Sequence, residues 1–276
     1  MSWTTRRAVG LAGIGLVPFA FLLLLFIVPV FRFLLFSIEG GSLVHFEKAF
    51  TDGLHATVFL ATLQIAGIVT GFCLLLGYPL SYWLATTTKF WRSAGFALLL
   101  LPFWISVLVR TYAWMILLGR NGVVNRNLIS LGIIDAPLPL LHNTTGVVIG
   151  MVHVLLPYMV FPLYAVMRRM DPALLSAAEG LGAPGWQVMR RIYLPLTLPG
   201  VLSGATLVFV ISLGFFITPA LLGGGRVLMI GVLIERQVRQ YLDWGLAAAL
   251  AIVVLAVALA IYAGLRRLLK DDLQWS

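Results

Sequence analysis

The side chains able to do chemistry are few in this sequence, and they stand apart. The four histidines, His45, His55, His142 and His153, fall at no H-x-x-x-H spacing, and no acidic pair accompanies them in the apolar runs. A metal-dependent or acid–base catalytic centre needs such a cluster, so a membrane enzyme of that kind is excluded. His153, deep in an apolar run, reads as a hydrogen-bonded core histidine. Cys73 is the only cysteine, which rules out an internal disulfide, and it reads as inert packing. No G-x-x-x-x-G-K-[ST] stretch occurs, and no lysine follows a glycine, so ATP phosphates have no cradle of that type here. Gly223-Gly224-Gly225 reads as a flexible outer turn, since no fitting helix start follows it.

Two places remain. Arg110, near Tyr112 and Trp114, either meets a substrate carboxylate or pairs across a gate, or it snorkels outward while the two aromatics sit in an interfacial belt. Thr218-Pro219 should break a helix and free carbonyls, which either face a cavity or mark a packing kink. Arg110, Tyr112, Trp114, Phe215 and Thr218 are therefore the candidate substrate-pathway residues. Trp104, Tyr158 and Phe216 add aromatic faces able to meet a cation.

The elements that must position these groups follow from composition. Of 276 residues, 61% are hydrophobic and 11% charged, too little polar surface for a soluble domain of this length. The net charge of +9 lies between long apolar runs, so it signals topology and lipid contact rather than nucleic acid. A helix needs about 20 apolar residues to span the hydrocarbon core. Six such spans are predicted, at about 9–31, 55–84, 94–118, 144–167, 198–222 and 244–265, in a single all-α membrane domain over 1–276. The first is read as an uncleaved span rather than a signal peptide, because its apolar stretch is too long. With the N-terminus inside, eleven Lys and Arg face the cytoplasm and eight face outward, so both termini are expected to be cytoplasmic.

These spans contain no Asp and no Glu. Proton-driven carriers need titratable relays at depth, so uphill transport would need energy from another subunit. Sodium coupling through backbone carbonyls at broken helices stays open.

One polar interruption stands out. Between the fourth and fifth spans, over about 168–197, lies "SAAEGLGAPGWQVMRRIYLPLTLPG" (176–200). Asp171-Pro172 is a helix start, with a capping carboxylate and a proline suited to the first turn. Leu174, Ala178 and Leu181 fall on one stripe. Gly182 is placed for a left-handed cap, and Pro184 prevents continuation. A second helix should run from Gly185 to about Tyr193, until Pro195 and Pro199 force a bend into the fifth span. The result is a cytoplasmic helix–hinge–helix. Its narrow, alanine-rich ridge suits a groove on another protein, or else it lies as an amphipathic element on the membrane.

The order Ala177-Ala178, Gly182, nine residues, Ile192, one residue, Leu194-Pro195 resembles the "EAA" loop of bacterial ABC importer permeases. Ser176 stands where the family's glutamate usually is, and Glu179 lies three residues later. "LLLPFWISVLVRTYAWMILLG" (99–119), "VVIGMVHVLLPYMVFPLYAVM" (147–167) and "LGFFITPALLGG" (213–224) look like the spermidine/putrescine branch of these permeases, and the likeness covers roughly residues 55 to 265. The resemblance implies a bacterial inner-membrane importer subunit that binds no cofactor itself. Its partners would be a second permease subunit, two cytoplasmic ATPases that carry ATP and magnesium, and an extracytoplasmic solute-binding protein. It also implies that Ser176, Ala177, Ala178, Glu179, Gly182, Ile192, Leu194 and Pro195 form the contact with the ATPase. Relatives that carry polyamines often show acidic residues at the positions of Phe215 and Ala220, and this chain has neither. Amino-acid derivatives and opines are therefore the alternative solutes.

Overall fold

The structure, a computed structural model, describes residues 18–272. The start of the first predicted span, Arg6 and Arg7 lie outside the described residues, as do the side chains of Arg266, Arg267 and Lys270. Among the described residues there is no strand, and the protein is nearly all helix. Five helices among the described residues are long and apolar enough to cross a membrane: α1 (Pro18–Ile38), α3 (Gly53–Thr86), α7 (Thr144–Arg169), α9 (Gly185–Leu213) and α12, which begins at Trp244 and whose apolar part runs Trp244–Gly264. A sixth span exists if a bent pair is taken as one. Shorter helices are α2 (Val44–Thr51), α4 (Lys89–Leu100), α5 (Val107–Leu118), α6 (Val123–Ser130), α8 (Pro172–Gly180), α10 (Ile217–Leu222) and α11 (Ile230–Arg236).

The third predicted span, 94–118, is not one straight helix. The stretch Lys89–Trp104 meets Val107–Ser130 at 101°. The reason is local: a tight 3-10 turn over Leu101–Trp104 carries Pro102, and Ile105 and Ser106 are extended or nearly so. Arg110, expected two-thirds along a span, instead sits in the first turn of α5, its amide bonded to Ser106 O at 3.1 Å.

Two compact units make up the fold. One comprises residues 1–56 with 234–255, the other 57–233 with 256–276. In the first, the side chains of α1 are almost wholly uncovered, and Trp244 at the start of α12 is flanked by Phe33 and Phe36 at ring distances of 6.3 and 6.2 Å.

The second unit is built around α7. Val147, Met151, Leu155, Met159, Leu163 and Met167 recur every fourth residue, and all are buried. A four-residue step overshoots one helical turn by about 40°, so the buried stripe winds around the helix and must be met by neighbours on several sides. Ile65, Val69 and Cys73 of α3 and Tyr193 and Val208 of α9 complete this core. Cys73 packs there, its thiol 3.8 Å from Val152 O. The close approach of α9 to α7 depends on Gly200 and Gly204. A Cβ at Gly200 would lie 3.2 Å from Leu163 Cα, and one at Gly204 would lie 2.8 Å from Met159 Sδ. This is the small-residue packing that lets membrane helices bring their backbones together.

The second loop helix does not end at Pro195 but continues through Pro195 and Pro199 into the fifth span as α9. A single wide π turn over Met189–Tyr193, closed by Leu194 N bonding to Met189 O, relaxes the ladder just before Pro195. The break comes later. α9 stops at Leu213 and α10 resumes at Ile217, so Thr218-Pro219 opens a helix rather than interrupting one. Proline is tolerated in a first turn because the amide it lacks would have no helical partner there.

Candidate functional site

The loop between α7 and α9 forms the helix–hinge–helix that the spacing predicts. Asp171 caps α8, its Oδ1 accepting from Ala173 N at 2.9 Å. At the other end Gly182 has φ +85°, a left-handed conformation that side chains rarely adopt. It lets Ala183 N reach Ala178 O at 3.1 Å and Gly182 N reach Glu179 O at 2.9 Å. That paired closure satisfies the last carbonyls of α8.

Burial separates the two sides of this element. Leu175 tucks against the core around α7, and Ala178 is half-buried. Ser176, Ala177, Glu179, Gly182 and Pro195 are exposed, as is Leu194, while Ile192 is half-buried. Leu181 is 90% exposed and Trp186 62% exposed. The Leu174–Ala178–Leu181 stripe is thus left mostly unfilled by this chain, and Leu175 seats the helix instead.

The far end of the loop is fastened to α3. Tyr193, buried within the π turn, meets Tyr82 edge-on at 5.3 Å. One helical turn away, the hydroxyl groups of Tyr78 and Thr197 lie 2.9 Å apart. Tyr78, Tyr82 and Tyr193 were invisible as a set in the sequence, because Tyr193 stands 111 positions beyond Tyr82.

A second constellation gathers where α5, α7 and α10 approach. Thr111 Oγ1 and Thr218 Oγ1, both buried, are 3.4 Å apart. Trp114 Nε1 donates to His153 Nδ1 at 3.1 Å, which leaves His153 as a hydrogen-bonded, half-buried histidine. Tyr158 and His153 both fall within electrostatic reach of Arg110, and Tyr158 packs against Phe103 at a ring distance of 5.6 Å. The Nε of Arg110 is buried and has no hydrogen-bond partner among the described residues.

Of the predicted pathway residues, then, Arg110, Trp114 and Thr218 fall in this region. Tyr112 does not join them: it is 54% exposed, two residues and about 200° around α5 from Arg110. Phe215 is half-buried and packs against the core, while Phe216 and Trp104 are exposed. The carbonyls near the fifth-helix break belong to Gly214 and Phe215 and lie against Gly231, where a Cβ would be 2.9 Å from Phe215 O. Thr111 was missed in the sequence. Its neighbour Arg110 drew attention, but Thr111 shows its role only once α10 is beside it.

An apolar groove of about 570 Å³ opens beside the Trp114–His153 pair, lined by Ile68, Phe72 and Leu76 of α3 and by Val148 and Val152 of α7. Among the described residues, no three His, Cys, Asp or Glu side chains are grouped to hold a metal ion.

Comparison with known proteins agrees with this architecture. The family described as "Binding-protein-dependent transport system inner membrane component" matches residues 3–273. The chain is 37% identical over 224 residues to the spermidine/putrescine transport system permease protein PotB of Haemophilus influenzae, covering 80% of this chain and 78% of that one. It is 38% identical over 226 residues to PotB of Escherichia coli K12, covering 81% and 82%. A solved structure of a bacterial alginate ABC transporter, in complex with an alginate pentasaccharide-bound periplasmic protein, aligns with a TM-score of 0.73 at 23% identity, over 98% of this chain and 97% of that one. The sodium-coupled carrier that the sequence left open is thereby set aside. The chain belongs to the binding-protein-dependent transport system inner membrane components, the permease subunits of ABC importers.

Proposed function

We propose that this chain is one of two permease subunits in an ATP-driven importer of polyamines, with α8 and its cap as the element that receives motion from a cytoplasmic ATPase. The observation that carries the reading is the pairing of an uncovered tip with an anchored base. Leu181 and Trp186 project from a turn closed at Gly182, while Leu175 and Tyr193 fix the same turn to the interior. A knob of that form passes a push inward rather than absorbing it.

Ser176, Ala177, Ala178 and Glu179 would lie on the ATPase, Gly182 would hold the hinge, and Ile192, Leu194 and Pro195 would lead the displacement into α9. ATP and magnesium belong to the two ATPase subunits, and an extracytoplasmic binding protein delivers the solute. In this arrangement the loop and both termini are cytoplasmic and the whole of 1–276 acts as a single permease domain. Nucleotide and the loaded binding protein each favour one of two global states, which gives alternating access. Arg110, Trp114 and Thr218 would border the pathway, with Tyr112 and Phe215 at its margins.

Spermidine and putrescine are the solutes named for the relatives of 37–38% identity, and they are the first assignment here. One observation favours a second reading. The cluster around Arg110 holds a cation and no carboxylate, which suits amino-acid derivatives or opines. Uptake of labelled putrescine by cells expressing the chain with its ATPase and binding protein tests both. Competition by unlabelled spermidine, and none by amino acids, supports the first. ATP-independent uptake by the purified chain alone would overturn the whole assignment.

A further inference from the structure

The first unit holds a pocket of about 710 Å³ whose wall includes Phe36, His45, Tyr241, Asp243 and Trp244. Its chemistry is set where α12 begins. Leu242 is left-handed, with φ +55°, and turns the chain directly ahead of Asp243. Asp243 caps the helix: its Oδ1 accepts from Leu246 N at 2.9 Å, and its carbonyl accepts from Ala247 N at 3.1 Å. The second carboxylate oxygen, Oδ2, makes no hydrogen bond among the described residues. His45 Nδ1 stands 3.7 Å from Oδ1, beyond hydrogen-bond distance but close enough to form an ion pair when the imidazole is protonated, and among the described residues that buried nitrogen has no hydrogen-bond partner.

Aromatic surface completes the wall. The Trp244 ring is braced by Phe33 and Phe36, and Tyr241 stands on the other side of the turn. Arg32 lines the neighbouring pocket with Phe33 and Phe36, and Arg239 is paired with Glu235 at 3.5 Å.

An anion would be repelled by Asp243. An uncharged apolar guest would strip solvent from Oδ2 and leave that oxygen without a partner, at a cost. An organic ammonium satisfies both features, since aromatic faces and a carboxylate attract it together. We infer that this pocket binds the ammonium end of an organic amine, with Asp243 as counter-ion and the Phe36, Tyr241 and Trp244 rings around it. The inference goes beyond the transport reading, because the site holds an amine whether or not that amine is the solute carried. Two sources share the chemistry: a free amine, or the headgroup of an ethanolamine lipid.

The test uses the full chain labelled with 5-fluorotryptophan in nonionic maltoside micelles. The Trp244 resonance is identified by its loss in Trp244→Phe. Titration with 1,4-diaminobutane, or with short-chain phosphatidylethanolamine, should shift it saturably. Sodium chloride at equal ionic strength and short-chain phosphatidylglycerol should not. A response to the diamine identifies a free amine and a response to the lipid alone identifies the headgroup, and either supports the site. Asp243→Asn keeps a capping oxygen and should raise the half-saturation concentration roughly tenfold or more. Asp243→Ser, also a capping residue, serves if that variant does not accumulate. No shift with either amine, an equal shift with salt, or unchanged titration in both Asp243 variants overturns the proposal. Binding is read here without transport, so its failure beside intact uptake would count against this pocket alone.

Discussion

The phenolic oxygen of Tyr78 lies 2.9 Å from Oγ1 of Thr197, joining α3 to α9 one turn beyond its π turn. Thr197 also donates to Leu194 O at 3.0 Å, and Tyr193 meets Tyr82 one turn away. Under the proposed coupling, a displacement at the loop would reach α3 as well as α9. Removing either hydroxyl, by Tyr78→Phe or Thr197→Val, should lower uptake per molecule while leaving membrane abundance near normal. A double-mutant cycle on thermal unfolding in detergent should return a coupling of about 0.5–1 kcal/mol, the usual range for such bonds between membrane helices. Additive losses would show that the two groups do not act together.

Gly182 offers a sharper intervention. Proline cannot adopt φ +85°, and it would also delete the amide that bonds to Glu179 O. Gly182→Pro is expected to insert and accumulate normally, because α7 and α9 are untouched, and to lose transport. Wild-type uptake by this variant would remove the loop from the mechanism.

Leu181 separates coupling from folding. At 90% exposure it contributes almost nothing to the chain's own core, so Leu181→Asp should change thermal stability by less than about 0.5 kcal/mol. Co-purification with the ATPase, by contrast, should fall sharply. Retained co-purification at unchanged stability would mean that the ATPase docks elsewhere.

Gly204 is the opposite case. Its Cα faces Met159 at the closest part of the α7–α9 contact, and a Leu side chain there has no room. Overpacking of this kind costs about 1–3 kcal/mol, so Gly204→Leu should lower the unfolding temperature in detergent, with any loss of uptake following the loss of folded protein. Unchanged stability would contradict the close packing.

Arg110 decides between pathway and interface. If it borders the pathway, Arg110→Gln should reduce uptake or change the apparent KM for putrescine at constant membrane level. If uptake and KM are both unchanged, the residue is an interfacial anchor and the pathway runs elsewhere.

Much of the loop was legible in the sequence because its signals are local. Asp171-Pro172 and Gly182-Ala183-Pro184 act through hydrogen bonds within a few residues, and the cap they predict is the cap observed. Breaks were harder to place. Proline removes one hydrogen bond wherever it occurs, yet whether a helix ends there depends on what the neighbouring turn can absorb. A π turn absorbed Pro195, and a helix start absorbed Pro219, while the real breaks fell at Ile105–Ser106 and at Gly214–Phe216.

By itself the order of residues determined the apolar helical class and the capped turn between the fourth and fifth predicted spans. Those properties follow from hydrophobic length and short-range hydrogen bonding, which neighbours along the chain dictate. Only the tertiary structure decided that Thr111 faces Thr218, that Trp114 holds His153, that Tyr78 meets Thr197, and that Asp243 stands beside His45 and an aromatic wall. Each pair joins residues tens to hundreds of positions apart. Such pairings arise from helix packing, where side chains from separate elements share one space, and no periodicity within either element encodes its partner.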